Sequence, residues 1–251
     1  MSMAKKTKLP DAVGLVKLIG AAYRNAASYH GAASSLLAAG NVPLALSNAT
    51  LGFEELGKAN LCATALAMPP DVRAGFADDF GKTFGDHVAK AGLVHFGFRA
   101  FVSPQAPPTV ETLIEEVGEA ALATHAAKMR GQYVDVDDNG VVHEPMEIDR
   151  LDAEVMVGLL GRMLEKQSQL ELFALADPAD VVMVYQQVWD SPFTDVLQRE
   201  ANADPDAFIA EVRAAMRGEA PIPGWIHEAF PGLLAEGDAL APAALQAAPI
   251  Q

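Results

Sequence analysis

The clearest fold signal in this chain lies in residues 44–68, which read LALSNATLGFEELGKANLCATALAM. Three charged residues, Glu54, Glu55 and Lys58, fall within five positions, and nearly everything around them is apolar or small. A helix that is apolar on almost every face is a buried helix, and charges buried in it must be paired. The stretch therefore predicts a central helix from Pro43 to Met68 whose charged groups meet one another and partners from other helices.

Helical segments flank this central helix on both sides. A first helix is predicted from Pro10-Asp11 to Ala39, since apolar residues recur there at helical spacing and a Gly-Asn-Val-Pro turn follows at 40–43. Pro69-Pro70 ends the central helix. Further helices are predicted over 78–102, 109–130 and 149–175. Residues 131–146 favour a short extended hairpin inserted between two of these helices, with an irregular loop as the alternative.

The C-terminal part of the chain is distinctly acidic. Residues 177–251 hold 12 acidic and 3 basic residues, while the rest of the chain is more nearly balanced. Shorter helices are predicted there over 181–189, 205–217 and 224–230. The chain is thus expected to comprise a helical bundle domain over 1–176, an acidic helical appendage over 177–235 and a disordered Ala/Pro-rich tail over 236–251.

Composition narrows the functional classes. Apolar residues make up 51% of the 251 residues but aromatic residues only 7%, so Ala and Leu dominate and favour an all-α fold. A net charge of −15 argues against a DNA-binding protein, although it leaves room for a small basic site. A single cysteine, Cys62, argues against a disulfide framework. No apolar run reaches membrane-spanning length, and we expect a cytoplasmic protein without membrane partners.

Three groups of polar residues are candidates for chemistry. Glu54 and Lys58 stand one helical turn apart in the central helix, and Glu55 is offset from Glu54 by about 100°. His87 and Lys90 share a face of the third helix. The third group is Arg130, Tyr133 and Asp135, after the fourth helix. On spacing alone, an exposed Glu–Lys pair explains the first group and a solvated or capping histidine the second, although the apolar surroundings of Glu54 and Lys58 argue against an exposed pair. The third group could equally be hydrogen-bonded scaffolding.

The order of these groups resembles the AbiV-type abortive infection family of bacterial phage-resistance proteins. Those proteins carry a Glu-Glu-x-Gly-Lys helix, a later His-x-x-Lys helix and an Arg-x-x-Tyr-x-Asp segment. The matching residues here are Glu54-Glu55-Leu56-Gly57-Lys58, His87-x-x-Lys90 and Arg130-x-x-Tyr133-Val134-Asp135. The resemblance covers roughly residues 12–175, and the acidic stretch from 177 has no counterpart in it.

The resemblance implies a HEPN-like helical bundle, often a homodimer, that acts in antiviral defence by shutting down protein synthesis in the infected cell. Many HEPN relatives cut RNA with an Arg-x(4–6)-His motif late in the bundle. Arg24 and His30 have that spacing here, but on the first helix. A ribonuclease site would therefore have to be built from other residues: Glu54, Glu55, Lys58, His87 and Lys90, with Arg130, Tyr133 and Asp135 as substrate or structural support.

Two functional hypotheses follow. In the first, the protein is a ribonuclease without metal or cofactor, in which His87 transfers protons and Lys58 and Lys90 hold a phosphate. Glu54 or Glu55 would be the second acid or base, or would orient His87. Two glutamates and a histidine suit a divalent cation as well, but nearby lysines would repel it.

In the second hypothesis the protein is a non-catalytic binder of a phage protein, a translation component or RNA. The Glu/Lys/His cluster would then be a buried network that sets helix packing. A helical housekeeping protein without a defence role is a third alternative.

Overall fold

The computed structural model describes residues 8–103, 109–133, 135–136, 139–216 and 219–229. These residues are almost entirely helical, which confirms the all-α fold class. They divide into two compact units, and the division falls after Tyr185. The domain boundary at 176/177 stays a prediction, and the tail expected over 236–251 lies outside the described residues.

The first unit is built from eight helices among the residues described. They are α1 (Ala12–Ala38), α2 (Val42–Ala67), α3 (Pro70–Gly75), α4 (Ala77–Gly85), α5 (His87–Gly97), α6 (Val110–Gln132), α7 (Arg150–Lys166) and α8 (Leu172–Leu175). A π-helical turn over Phe98–Val102 extends α5, and 3-10 turns lie at Pro145–Glu147 and Ser168–Glu171.

Side-chain caps fix where several of these helices begin. Asp11 accepts a hydrogen bond from the Gly14 N–H at 2.7 Å, and Thr109 accepts one from the Thr112 N–H at 3.2 Å. Asp149 does the same for Leu151 at the start of α7. Each cap satisfies a backbone donor that the first helical turn leaves without a partner.

The central position predicted for α2 is confirmed. This helix packs against α1, α5, α6 and α7, and Phe53 and Leu56 on it are fully buried. The tight connection before it is also as predicted. Gly40 has a φ of +80° and Pro43 lies in the first turn of α2, so the left-handed residue that ends α1 is one that has no Cβ.

The single helix predicted over 78–102 is wrong, because the chain breaks at Asp86. This residue has extended backbone angles (φ −90°, ψ 121°), and its carboxylate accepts hydrogen bonds from the Val88 and Ala89 N–H groups at 2.8 and 3.1 Å. Asp86 thus caps a new helix, α5, at the point where the prediction continued an old one.

The single helix predicted over 149–175 is also interrupted. Helix α7 ends at Lys166, and the chain passes through a 3-10 turn into α8. The turn brings α8 onto α1, where a Cβ placed on Gly20 would lie 2.7 Å from backbone atoms of Ala174. The absence of a side chain at Gly20 therefore allows α8 to pack directly on the α1 backbone.

The inserted hairpin is confirmed in outline. Strand β1 (Asp135–Val136) pairs antiparallel with β2 (Val142–His143), and Gly140 between them has a φ of +79°. The predicted first strand began at Gln132, however, and this residue is the last of α6. Residues 137 and 138 of the predicted turn lie outside the described residues.

The second unit has a small core of its own. Beyond α9 (Pro178–Trp189), in which the division falls, come α10 (Phe193–Ala203), α11 (Pro205–Met216) and α12 (Gly224–Ala229). Val196 and Trp225 are its buried residues, and Phe193, Leu197, Phe208, Val212 and Ile226 pack against them.

Three of these helices were predicted, but α10 was not. Its sequence FTDVLQREANA has few apolar residues, and these lie on one face only. Arg217 and Phe230, the predicted ends of the last two helices, lie outside the described residues. Within the described part of the chain, we found no helix with the length and apolar content needed to cross a membrane.

Candidate functional site

A buried carboxylate on α2 organises one cluster of charged side chains. Glu54 is only 4% exposed. Its Oε1 accepts a hydrogen bond from Lys128 Nζ of α6 at 2.7 Å, and its Oε2 lies 2.6 Å from Nδ1 of His87 at the start of α5. An ionised carboxylate can only accept, so His87 is the donor through Nδ1–H. We refer to Glu54, His87 and Lys128 as the Glu54 cluster.

The histidine is the exposed member of this cluster. Half of the His87 side chain is open to solvent, whereas the side chains of Glu54 and Lys128 are 5% and 9% exposed. Because Nδ1 is held by Glu54, the other ring nitrogen, Nε2, is the one left to bind or exchange a proton. The carboxylate thereby fixes both the tautomer and the orientation of the imidazole.

A second imidazole lies beside the first. The ring of His125, from α6, is stacked on that of His87 with centroids 6.0 Å apart and planes inclined by 22°. Nδ1 of His125 is buried and has no hydrogen-bond partner among the described residues. Two imidazoles from different helices therefore lie side by side next to a buried carboxylate.

The charges around Glu54 keep it ionised. Burial raises the pKa of its carboxyl, but hydrogen bonds from Lys128 and His87 and their charges lower it more strongly. The net pKa lies below the ordinary value of 4.5. Glu54 is thus a carboxylate at neutral pH, which leaves both of its oxygens as acceptors for Lys128 and His87.

Lys90 lies next to this cluster and is 3% exposed. Among the described residues, no carboxylate oxygen lies within 4.0 Å of its ammonium group. Burial lowers the pKa of Lys90, and the positive charge of Lys58 lowers it further. Glu54 and Glu55 act in the opposite direction, so Lys90 senses the charges on both sides of α2.

The approach of α5 to α2 depends on a glycine. A Cβ on Gly57 would lie 2.1 Å from the backbone oxygen of Lys90, well inside any real contact distance. The missing side chain therefore lets α5 pack directly on the α2 backbone. This contact brings the first turn of α5, with His87, to the level of Glu54.

The other charged pair of α2 faces a different part of the bundle. Glu55 forms an ion pair with Lys58, and Lys58 Nζ lies 5.9 Å from the centroid of the Phe84 ring at the end of α4. All three residues line an open pocket of about 590 Å³, together with residues of α1 that include Arg24. We call this cavity the α1–α2 pocket.

The five candidate catalytic residues therefore separate into two sites. Glu54 and His87 meet in the Glu54 cluster, whereas Glu55 and Lys58 meet in the α1–α2 pocket. Lys90 is buried, and charged groups of both sites affect its pKa. Glu54 and Glu55 are consecutive in sequence, so their side chains leave the helix about 100° apart.

The third predicted group lies elsewhere. Arg130 and Tyr133 are exposed at the C-terminal end of α6, with Tyr133 55% accessible. Among the described residues, no hydrogen bond or ion pair joins either one to the Glu54 cluster. Asp135 is in β1, and its side chain lies outside the described part of the structure.

Two residues of the site were missed from the sequence, Lys128 and His125. A usable signal was present for Lys128. The buried face of α6 runs through Leu113, Ala121, Thr124 and Lys128 at helical spacing, so a lysine falls at a core position. A buried lysine is costly without a paired carboxylate, and Glu54, in the buried stretch of α2, was a candidate partner.

The Arg-x(4–6)-His spacing on α1 does not form a joint site. Arg24 lines the α1–α2 pocket, whereas His30 packs against α7, where its Nε2 would lie 2.8 Å from a Cβ on Gly161. In the described residues, no three His, Cys, Asp or Glu side chains come together as a set of metal ligands.

The comparisons with known proteins bear on the first unit. A family model described as AbiV, of the HEPN type, matches residues 15–164, which is more than half of the chain. The match spans α1 to α7 and includes the Glu54 cluster and the residues of α2 that line the pocket. No curated protein matches the chain, and no solved structure does. The chain belongs to the AbiV family of HEPN proteins, a family associated with abortive infection and antiviral defence.

Proposed function

We propose that this protein halts phage multiplication by stopping host protein synthesis, and that it does so by cleaving RNA at the Glu54 cluster. The observation that carries the proposal is the exposure of His87 together with its hydrogen bond to Glu54. Its ring is half exposed, and its Nδ1 is held at 2.6 Å by a buried carboxylate. A solvent-accessible imidazole oriented by a carboxylate is a common general acid or base in enzymes.

The chemistry needs two proton transfers. A base removes the proton from a ribose 2′-hydroxyl, and O2′ attacks the adjacent phosphorus to give a 2′,3′-cyclic phosphate. An acid then protonates the 5′-oxygen as the P–O bond breaks. His87 performs one transfer, and the stacked His125 supplies a second imidazole for the other. Neither step requires a metal or a cofactor.

The neighbouring groups support this assignment electrostatically. Glu54 holds the His87 ring through the hydrogen bond from Nδ1, and the ammonium groups of Lys128 and Lys90 offset charge that develops on the phosphate. Lys128 Nζ lies 3.3 Å from His87 Nδ1. Positive groups held in place before the reaction cost little reorganisation when the phosphorane charge forms.

A His87→Asn variant tests the proposal sharply. The asparagine amide can replace the Nδ1–H donor to Glu54, so the fold should survive while the titrating imidazole is lost. We expect the purified variant to leave tRNA and total RNA intact and to lose phage protection. Its melting temperature should stay within a few degrees of the wild type.

His30→Asn is the matched control, because His30 lies on α1 and packs against α7. This variant should keep both RNA cleavage and protection. Loss of activity in His30→Asn with retention in His87→Asn would refute the proposal. Wild-type protein that leaves RNA intact with and without EDTA would also contradict cleavage.

A second candidate function is a non-catalytic binder of a phage protein or a translation component. The burial of Glu54, Lys128 and Lys90 favours it, because three buried charges are typical of a network that fixes helix packing. Its signature would be that Glu54→Gln abolishes protection only together with a large loss of thermal stability. The His87→Asn variant would then protect as well as the wild type.

We also propose that the protein acts as a homodimer, as HEPN domains often do. Light scattering coupled to size-exclusion chromatography measures this directly. A molar mass that stays at 26.5 kDa across micromolar concentrations would contradict it.

A further inference from the structure

The α1–α2 pocket is separate from the residues to which RNA cleavage is assigned. Its walls come from three helices, and its volume of about 590 Å³ lies within the range of small-molecule sites. His87, His125 and Lys128 do not line it. A cavity of this size, built from side chains that the cleavage site does not use, can hold a ligand of its own.

The charge of the pocket favours an anion. Glu55 is neutralised by its ion pair with Lys58. Arg24 has a hydrogen bond to the backbone oxygen of Ala174 at 3.3 Å, but no carboxylate lies within 4.0 Å of it among the described residues. The pocket therefore keeps one positive charge without a carboxylate partner, in a chain whose net charge is −15.

One wall of the pocket is flat and aromatic. Phe84 lines it, and its ring is stacked on Phe80 with centroids 5.5 Å apart, which fixes its plane. Leu18, Ala21 and Ala22 of α1 also line the pocket. A fixed ring and small or apolar side chains in one pocket make a slot suited to a second flat ring, because aromatic rings pack favourably in offset stacks.

Polar groups stand at the α1 side of the slot. Asn25 and Ser28 are exposed, line the pocket and have no hydrogen-bond partner among the described residues. They lie within one turn of Arg24 on the same helix. Their amide and hydroxyl groups can therefore join Arg24 in binding the oxygens of an anionic group.

We propose that the α1–α2 pocket binds a small organic anion that carries a flat aromatic ring, with the ring against Phe84 and the anionic group at Arg24. This binding does not depend on RNA cleavage at the Glu54 cluster. The proposal predicts that both parts of the ligand contribute, so a ring without charge and a charge without a ring bind more weakly than the two together.

Isothermal titration of the full chain with 1-naphthyl phosphate tests the proposal. Control titrations with 1-naphthol and with inorganic phosphate measure the binding of the ring and of the anionic group separately. We expect 1-naphthyl phosphate to bind at least about tenfold more tightly than either, the amount that one charge-assisted hydrogen bond contributes. Equal affinity for inorganic phosphate and 1-naphthyl phosphate would overturn the assignment of the ring slot.

Variants of α1 locate the binding. Ser28→Glu places a carboxylate at the edge of the pocket beside Arg24, and we expect it to weaken 1-naphthyl phosphate binding by about tenfold or more. Ser35→Glu is the matched control, since Ser35 is exposed two turns further along α1 and does not line the pocket. Binding that is absent in the wild type, or that both variants weaken equally, would overturn the proposal.

Thiol protection gives a readout that does not depend on heats of binding. Cys62 is the single cysteine of the chain and lines the same pocket. Saturating 1-naphthyl phosphate should slow its modification by a disulfide reagent in the wild type and in Ser35→Glu, but not in Ser28→Glu. Unchanged modification rates in the wild type at saturation would place the ligand elsewhere.

Discussion

Gly57 offers the most direct test of how α2 and α5 are held together. In Gly57→Ala the new Cβ would lie 2.1 Å from the backbone oxygen of Lys90 and 2.7 Å from its carbonyl carbon. These are backbone atoms of a helix, so no side chain can rotate away to make room. The two helices must therefore move apart by roughly 1 Å to reach an ordinary contact distance.

The expected cost follows from two opposing terms. Forcing an extra methyl group into a packed interface costs about 1–3 kcal/mol, and the upper end applies because the neighbour is backbone. Alanine in place of glycine in a helix interior stabilises the helix by about 1 kcal/mol. The net expectation is a loss of about 2 kcal/mol in the free energy of unfolding.

Gly118→Ala is the matched control. Gly118 is exposed within α6, and a Cβ there would have no atom within 4 Å. Only the higher helix propensity of alanine acts here, so the free energy of unfolding of this variant should rise by about 0.5–1 kcal/mol. The same substitution at two helical glycines should thus change stability in opposite directions.

Urea denaturation followed by circular dichroism at 222 nm measures both variants. Opposite signs, with a difference of about 3 kcal/mol, are the expected result. If Gly57→Ala were as stable as Gly118→Ala, the close backbone contact between α2 and α5 would be refuted, and with it the reason that His87 reaches Glu54.

Three further outcomes follow from the buried polar groups. Burial, with a smaller effect of Arg99, lowers the pKa of His95 to about 4. The free energy of unfolding should therefore fall by up to about 3 kcal/mol as the pH drops from 6.5 to 4. Denaturation of His95→Gln across this pH range should not show that decrease. Glu54→Gln should lower the free energy of unfolding by about 3–5 kcal/mol, because it leaves the Lys128 charge buried without its carboxylate. The double variant Glu54→Leu with Lys128→Met should recover most of that loss. An equal loss in the double variant would contradict a paired charge. Burial raises the pKa of the Cys62 thiol to about 12, so its modification at pH 8 should be far slower than that of free cysteine, and a rate equal to that of a small thiol would contradict the burial.

The pH dependence of the Glu54 cluster has a defined sign. The pKa of Glu54 is lowered in the folded protein, so its contribution to stability is present above the ordinary pKa of 4.5 and is lost as the pH falls through the lowered value. The loss due to Glu54 begins below pH 4.5, whereas the loss due to His95 begins below pH 6.5. The two groups can therefore be distinguished by the pH at which each variant departs from the wild type.

Much of the bundle could be predicted because its signals are local. The apolar stretch around Glu54, the Gly40 turn and the Thr109 cap each act within one or two helical turns, and they gave α2, the end of α1 and the start of α6. The breaks at Asp86 and Gln167 are different. Asp86 caps α5 only because the chain turns there, and a sequence pattern of apolar residues does not reveal that competition.

The site was harder to predict than the fold for a physical reason. Glu54 and Lys128 are 74 positions apart, so helical spacing says nothing about their contact. The sequence did indicate that the charges of α2 needed partners. It did not indicate that Glu54 and Glu55 find theirs on different sides, because that depends on which helices surround α2.

The opposite surroundings of Glu54 and Glu55 have a consequence for the rotational setting of α2. A rotation of this helix by one residue, about 100°, would carry Glu55 toward the place of Glu54 and remove the ion pair from the pocket. Only one rotational setting of α2 therefore places Glu54 in the cluster and Glu55 in the pocket at the same time. Insertion or deletion of a single residue in the first half of α2 should therefore disable the cluster and the pocket together, although neither set of side chains has been changed.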